Sequence, residues 1–175
     1  MPLDRNLFLV GYRGTGKTTV ARELAETLAC EWVDADDEIE LRGHRTIAEI
    51  FAEDGEQAFR DIEEEVVSSL AAAPAQVVAL GGGAVLRESN RAAIAGQHVV
   101  WLVASPKVLA ERLTADKSSA SRRPSLTGAG LVEEIEQVLA VRTPIYQQCA
   151  TIVVSTEDRS PREIAAEIHG MLAGN

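Results

Sequence analysis

The chain has 175 residues, long enough for one domain with a real core and too short for two ordinary ones. An apolar fraction of 46% fits a soluble globular protein, and a net charge of −10 with no basic tract argues against a nucleic-acid partner. No apolar run approaches the length of a membrane span, and Met1-Pro2-Leu3-Asp4-Arg5 lacks a charged-then-apolar leader pattern, so a cytoplasmic protein is expected. Cys30 and Cys149 are far apart and in no metal-ligand spacing, which reads as two unlinked thiols. His44, His98 and His169 form no constellation. An acidic protein that binds a polyanion must concentrate its positive charge locally, which makes each arginine near such a site informative.

The first predicted element is an apolar strand, Asn6 to Val10. Gly11-Tyr12-Arg13-Gly14-Thr15-Gly16-Lys17-Thr18 follows with the full G-x-x-x-x-G-K-[ST] spacing of a phosphate-binding P-loop, and Thr18 to Leu28 then reads as an amphipathic helix. Glycine is needed because backbone N–H groups converge on a polyphosphate only in conformations and close approaches that a Cβ obstructs. Gly14, Thr15, Gly16, Lys17, Thr18 and Thr19 are therefore candidate nucleotide contacts, with Lys17 on the β- and γ-phosphates and the Thr18 hydroxyl on Mg²⁺.

Glu31 to Asp36 reads as a short strand whose last carboxylates, Asp34 and Asp36, would point the same way. A helix with an acidic first turn runs from Asp36 to Arg42, and Thr46-Ile47-Ala48-Glu49 is a capping box opening a short helix through Phe51. Glu56 to Val67 is a longer helix with Phe59, Ile62 and Val66 on one face and Arg60 off it. Gln76 to Leu80 is a strand of the doubly buried kind, followed directly by Gly81-Gly82-Gly83. A helix from about Glu88 to Ala95 and a buried strand from Val99 to Val103 come next; Ser105-Pro106 then caps a helix reaching about Leu113.

Periodicity disappears from Ala115 to Gly130, a stretch of small and polar residues punctuated by Arg122 and Arg123 that reads as a lid or connector. Leu131 to Val141 is a helix with Arg142-Thr143-Pro144-Ile145-Tyr146 near its end. Thr151 to Val154 is a fifth strand, and Ser160-Pro161-Arg162-Glu163 opens a last helix up to Leu172. Alternating strands and helices imply an α/β fold: a three-layer α/β/α arrangement around a five-stranded parallel sheet, with ligands beyond the carboxyl ends of the strands.

In that position Asp34, expected on the strand next to the P-loop strand, could hold Mg²⁺ through a water. Asp36, further out, could orient an acceptor hydroxyl and take its proton. The triple glycine would let a ligand rest against backbone. Arg60 and Arg142 could clamp a carboxylate, but each reads equally well as something plainer, Arg60 as a solvated helix residue and Arg142 as a cation at a helix C-terminus. Arg122 or Arg123 could act as an internal arginine finger.

The ordered set GYRGTGKT, Val33-Asp34-Ala35-Asp36, Phe59-Arg60-Asp61-Ile62-Glu63, Ala79-Leu80-Gly81-Gly82-Gly83-Ala84, Arg123-Pro124-Ser125-Leu126 and Arg142-Thr143-Pro144-Ile145-Tyr146 resembles the shikimate kinase family over essentially the whole chain. The resemblance implies a fold similar to nucleoside monophosphate kinases, in one domain with a substrate-binding region at about 34–62 and a mobile lid at about 115–130. It implies ATP-dependent phosphorylation of the 3-hydroxyl of shikimate, on the route to chorismate and aromatic amino acids. Residue by residue it places Lys17 and Thr18 at phosphate and Mg²⁺, Asp34 near the metal, and Asp36 on the shikimate hydroxyls as base. Arg60, Arg142 and the Gly82 backbone fall on shikimate, Arg123 on the lid, and Arg112 against adenine.

Tyr12 and Arg13 depart from the smaller or apolar residues common at those P-loop positions, and the adjoining proline favours Arg123 over Arg122 as the lid arginine. A kinase for another polyol acid, such as gluconate, is the alternative. A GTPase switch is disfavoured, since Asn-Lys-x-Asp and Asp-x-x-Gly elements are missing. A monomer is expected, acting on ATP and shikimate and on neither nucleic acid nor membrane.

Overall fold

The computed structural model describes residues 3–116 and 130–174. Five strands, β1 (Leu7–Val10), β2 (Trp32–Asp34), β3 (Val77–Ala79), β4 (His98–Val103) and β5 (Ile152–Ser155), form one sheet in the order β2-β3-β1-β4-β5. Every pairing is parallel, as expected of strands joined by helices. The helices among the described residues are α1 (Lys17–Leu28), α2 (Ala35–Gly43), α3 (Ile47–Glu53), α4 (Gly55–Ala72), α5 (Glu88–Ile94), α6 (Pro106–Ala115), α7 (Leu131–Cys149) and α8 (Pro161–Ala173). A 3₁₀ turn, Ala84–Leu86, follows the triple glycine.

The central strand shows why the sheet is covered on both sides. All four residues of β1 are buried; Leu7 and Leu9 enter one core with Val20 and Leu24 of α1 and Ile164 and Ile168 of α8. Phe8 and Val10 enter the other with Ile39, Phe59, Val66 and Tyr146 from α2, α4 and α7. Period-two alternation therefore feeds two apolar layers, and each large side chain buried whole contributes roughly 1.5–3 kcal/mol. A smaller cluster of Tyr12, Leu109 and Ile135 fastens α6 and α7 beside the P-loop.

Three expectations are corrected. First, β2 does not neighbour β1; β3 lies between them, with Ala79 paired to Leu9 on one side and Asp34 on the other. The strand after the P-loop helix takes the sheet edge, and β3 returns to fill the gap.

Second, β2 ends at Asp34 rather than Asp36. The Asp34 carboxylate accepts the Asp36 N–H at 3.0 Å, so it caps α2 and turns the chain into a helix at once.

Third, the helix expected to end near Arg142 continues to Cys149 with Pro144 inside it. Proline in a helix interior costs about 3 kcal/mol. Tyr146 offsets that cost: it is fully buried, stacks on Trp101 at 5.6 Å, and donates its hydroxyl to the Gly82 carbonyl at 2.5 Å. Elsewhere Ser105 holds the cap position of α6 with Pro106 first in the helix, although its hydroxyl makes no capping bond. The expected lid, with Arg122 and Arg123, falls almost wholly on residues 117–129, outside the described residues.

Candidate active site

The P-loop leaves β1 at Gly11, where a Cβ would stand 2.5 Å from the Leu102 carbonyl of β4; with φ at 140° only glycine fits. The loop closes on itself through Thr15, whose hydroxyl and N–H both donate to the Tyr12 carbonyl, at 2.8 and 3.3 Å. That hydroxyl is turned inward, so any part Thr15 plays toward a phosphate is through its backbone. Side chains cap α2, α3 and α8 through Asp34, Thr46 and Ser160, whereas α1 begins at Gly16 with no side-chain cap. Its first N–H groups and its dipole face the P-loop, the arrangement that receives an anion in such loops. Lys17 bends over the loop and donates to the carbonyls of Gly11 and Tyr12 at 2.9 and 3.0 Å.

Asp34 joins this loop to the next part of the site. One carboxylate oxygen caps α2 while the other accepts the Thr18 hydroxyl at 2.6 Å. Thr18 and Asp34 therefore present adjacent hard oxygens at the mouth of the loop, the donor type Mg²⁺ takes while keeping several waters. With Asp34 occupied as the cap, Asp36 in the first turn of α2 lines the cleft. The plainer reading of Asp36 as a helix cap is thereby removed, because its neighbour does that work.

The cleft encloses about 390 Å³ between the P-loop, Asp34, Asp36, Gly81, Gly82 and Arg112. It lies at the carboxyl ends of the strands, where β1 separates strands reached in opposite directions. A shallower groove of about 530 Å³ along Arg22, Cys30 and Trp32 lies at the other end of β2, away from these groups.

The triple glycine forms the wall opposite α1. A Cβ on Gly82 would stand 3.1 Å from the Gly11 carbonyl and 3.5 Å from a terminal nitrogen of Arg142, and one on Gly83 only 2.6 Å from a terminal nitrogen of Arg60. Backbone and two guanidinium groups thus come together at one turn, whose Gly81 and Gly82 line the cleft with the arginines set behind them. Arg60 is not a solvated helix residue: its side chain is 12% exposed, lies over the Phe59 ring at 5.1 Å, and pairs with the buried Glu63 at 2.6 Å. Nor does Arg142 complement a helix C-terminus, since α7 runs on for two further turns. Among the described residues no carboxylate pairs with it, which leaves a half-buried cation beside Gly82.

Arg112 reaches from α6 to the P-loop, donating to the Gly14 carbonyl at 3.2 Å and to the hydroxyl and carbonyl of Thr156 at 2.9 and 2.7 Å. Beside it the Ser105 backbone N–H, followed by its hydroxyl, holds the Glu157 carboxyl below its ordinary value, with a smaller pull from Arg112. Arg13, the extra cation of this P-loop, lines the cleft and stands 4.0 Å from Glu134 of α7. Gly14, Gly16 and Thr19 line it too.

Sequence reasoning missed Thr156, which no motif marks, and Glu63, which stood in a quoted segment without a role. The i,i+3 spacing of Arg60 and Glu63 on a helix was the available signal for the second. Among the described residues no cluster of three or more His, Cys, Asp or Glu side chains could hold a metal, and both cysteines are free thiols. Burial pushes both thiols up. No helix among the described residues is long and apolar enough to cross a membrane.

This combination of fold and site recurs in known proteins. A family model described as shikimate kinase matches residues 13–173. A shikimate kinase of Rhodopirellula baltica is 44% identical over 165 residues, covering 94% of this chain and 88% of the relative. Among solved structures, the shikimate kinase from Acinetobacter baumannii in complex with shikimate superposes with a TM-score of 0.90 at 34% identity, covering 98% of this chain and 94% of the other. A gluconokinase from Sinorhizobium meliloti, at TM-score 0.60 and 19% identity over 99% of this chain and 94% of its own, shares the fold alone. With the P-loop, the acidic α2 start and the arginine-flanked glycine turn in one cleft, and the match running nearly end to end, the chain belongs to the shikimate kinase family.

Proposed function

We propose that the protein transfers the γ-phosphoryl group of ATP to the 3-hydroxyl of shikimate, giving shikimate 3-phosphate and ADP. The observation that carries this reading is the junction at Gly82, where a Cβ would meet the Gly11 carbonyl at 3.1 Å and the Arg142 guanidinium at 3.5 Å, so the P-loop and that arginine both crowd one glycine. A phosphate seat and a carboxylate seat are thereby held one backbone apart, which suits a small acid carrying hydroxyls on a compact ring.

ATP lies with its phosphates over the N-terminus of α1, Lys17 on the β- and γ-oxygens, and its adenine near Arg112. Shikimate is held by its carboxylate between Arg60 and Arg142, whose planar forks match it, with the Gly82 backbone beneath. Asp36 accepts a hydrogen bond from the attacking hydroxyl, orients it toward the γ-phosphorus and takes its proton as the new P–O bond forms. Thr18 directly and Asp34 through a water would hold Mg²⁺, which would supply neutralisation of the phosphate charge. Transfer is direct and in line, with no covalent enzyme intermediate, so positioning and charge neutralisation supply most of the acceleration. Arg123 is assigned as the cation that closes over the γ-phosphate; it lies outside the described residues, and the assignment rests on the family motif. The proposal includes one catalytic domain, a monomer, and the cytoplasm, whose reducing conditions suit the two free thiols.

The test is ADP release with Mg-ATP against a panel of hydroxylated acids. Turnover that depends on shikimate and is absent with gluconate is expected. Activity on gluconate without activity on shikimate would overturn the assignment in favour of a polyol-acid kinase.

A further inference from the structure

The turn after β3 has an unusual hydrogen-bond arrangement. All six carbonyls from Gly81 to Leu86 accept a bond. Five are served from nearby in sequence: Gly81 and Gly83 by the N–H groups of Ala84 and Leu86, Ala84 by Asn90, and Val85 and Leu86 by Arg91. The sixth, on Gly82, is served across the fold by the Tyr146 hydroxyl, 64 positions later and 2.5 Å away. The residue whose carbonyl needs that distant donor is the one where a Cβ would meet both the P-loop and Arg142.

The peptide between Gly82 and Gly83 is trans, so holding its carbonyl sets the plane of the whole unit. Arg142 lies against one end of that unit and Arg60 against the other. Tyr146 follows Arg142 by four positions on α7, which places both on one helix face. The ring itself is fully buried and stacked on Trp101 of β4. Phenylalanine would fill that space equally well, so packing does not account for the hydroxyl. A buried hydroxyl is tolerated only with a partner, and here the partner is a carbonyl that would otherwise be buried without one.

We propose that Tyr146 is a positioning residue for the acceptor: its hydroxyl sets the Gly82–Gly83 peptide and, through α7, brings the Arg142 guanidinium into register with it, so that backbone and arginine meet the acceptor carboxylate together. This rests on the shikimate phosphorylation proposed above. Tyr146 touches neither reacting atom; it acts through Gly82 and Arg142.

The test is Tyr146→Phe, which keeps the ring and removes only the hydroxyl. The Michaelis constant for shikimate is expected to rise about five- to tenfold, as for loss of one buried hydrogen bond, while that for Mg-ATP stays within about twofold. In an Arg142→Ala background the same substitution should add less than about twofold, because the two residues act on one carboxylate. Equal rises for both substrates, an unchanged shikimate constant, or full additivity with Arg142→Ala would each overturn the assignment. Wild-type enzyme that fails to turn over shikimate brings down the proposed function and this inference together. Active wild type with an unselective Tyr146→Phe brings down this inference alone.

Discussion

The proposed donor and acceptor halves of the site are built on opposite principles. The donor half is nearly all backbone: a loop of eight residues, 11–18, closed by Thr15 onto Tyr12 and opening onto an uncapped helix. Its working groups are N–H dipoles within one short stretch. The acceptor half is side chains and a glycine turn drawn from α2, α4, the end of β3 and α7, and its registration depends on contacts between residues distant in sequence. A backbone site tolerates variation around it as long as the loop conformation survives. A site assembled from four elements is only as exact as the packing between them, so specificity is concentrated where the fold must be most consistent.

That contrast can be broken at several points. The largest effect is expected from Asp36→Asn, which should lower phosphoryl transfer by roughly 10²–10⁴-fold while leaving ATP affinity intact; single-turnover kinetics beside equilibrium nucleotide binding measure the two separately. Full activity in that variant would remove Asp36 from the acceptor half. Arg123→Ala comes next, with turnover reduced by up to roughly 10³-fold and little change in ATP binding if it behaves as an arginine finger.

The two carboxylate arginines should then separate from one another. Arg142→Ala is expected to raise the shikimate Michaelis constant by about 10–100-fold, as for loss of a charged hydrogen bond, with the melting temperature nearly unchanged. Arg60→Ala should show a similar acceptor defect but also cost stability, by up to about 3–5 kcal/mol, because it removes the guanidinium paired with the buried carboxylate of Glu63. Thermal unfolding of the two variants side by side checks this, and equal melting temperatures would contradict the buried pairing. The smallest effect belongs to the donor side. Thr156→Val removes the hydroxyl that accepts from Arg112 and should raise the ATP constant only a few-fold, leaving shikimate untouched.

The fold was largely legible beforehand, for reasons that differ by element. The doubly buried strands announced themselves as continuous apolar runs, and Thr46-x-x-Glu49 and Ser160-x-x-Glu163 formed the capping boxes their spacing implied. The end of α7 was misread because a proline is a strong local stop signal; the burial of Tyr146 against Trp101 and its bond to Gly82, with Ile145 and Cys149 packed on the same core, outweigh it. The order of β2 and β3 was legible only in part. The continuous apolar run of β3 suits an interior place and the half-exposed, acid-bearing β2 an edge, but neither strand's residues name its neighbour.

The sequence by itself determined the P-loop and its place between a strand and a helix, and so pointed to the proposed donor half, because the chemistry of phosphate binding is written in contiguous spacing: glycines, a lysine and a threonine at set intervals. It also determined the family, through an ordered set of segments along the chain. Only the tertiary structure decided where the two ambiguous arginines lie. Arg60 became a buried partner of Glu63 beside Gly83, and Arg142 a cation beside Gly82 with no carboxylate partner among the described residues. An arginine's local surroundings in sequence are the same whether its guanidinium faces water or a ligand. The difference lies in which distant backbone is packed against it, and that is set by the sheet order and by the uninterrupted course of α7.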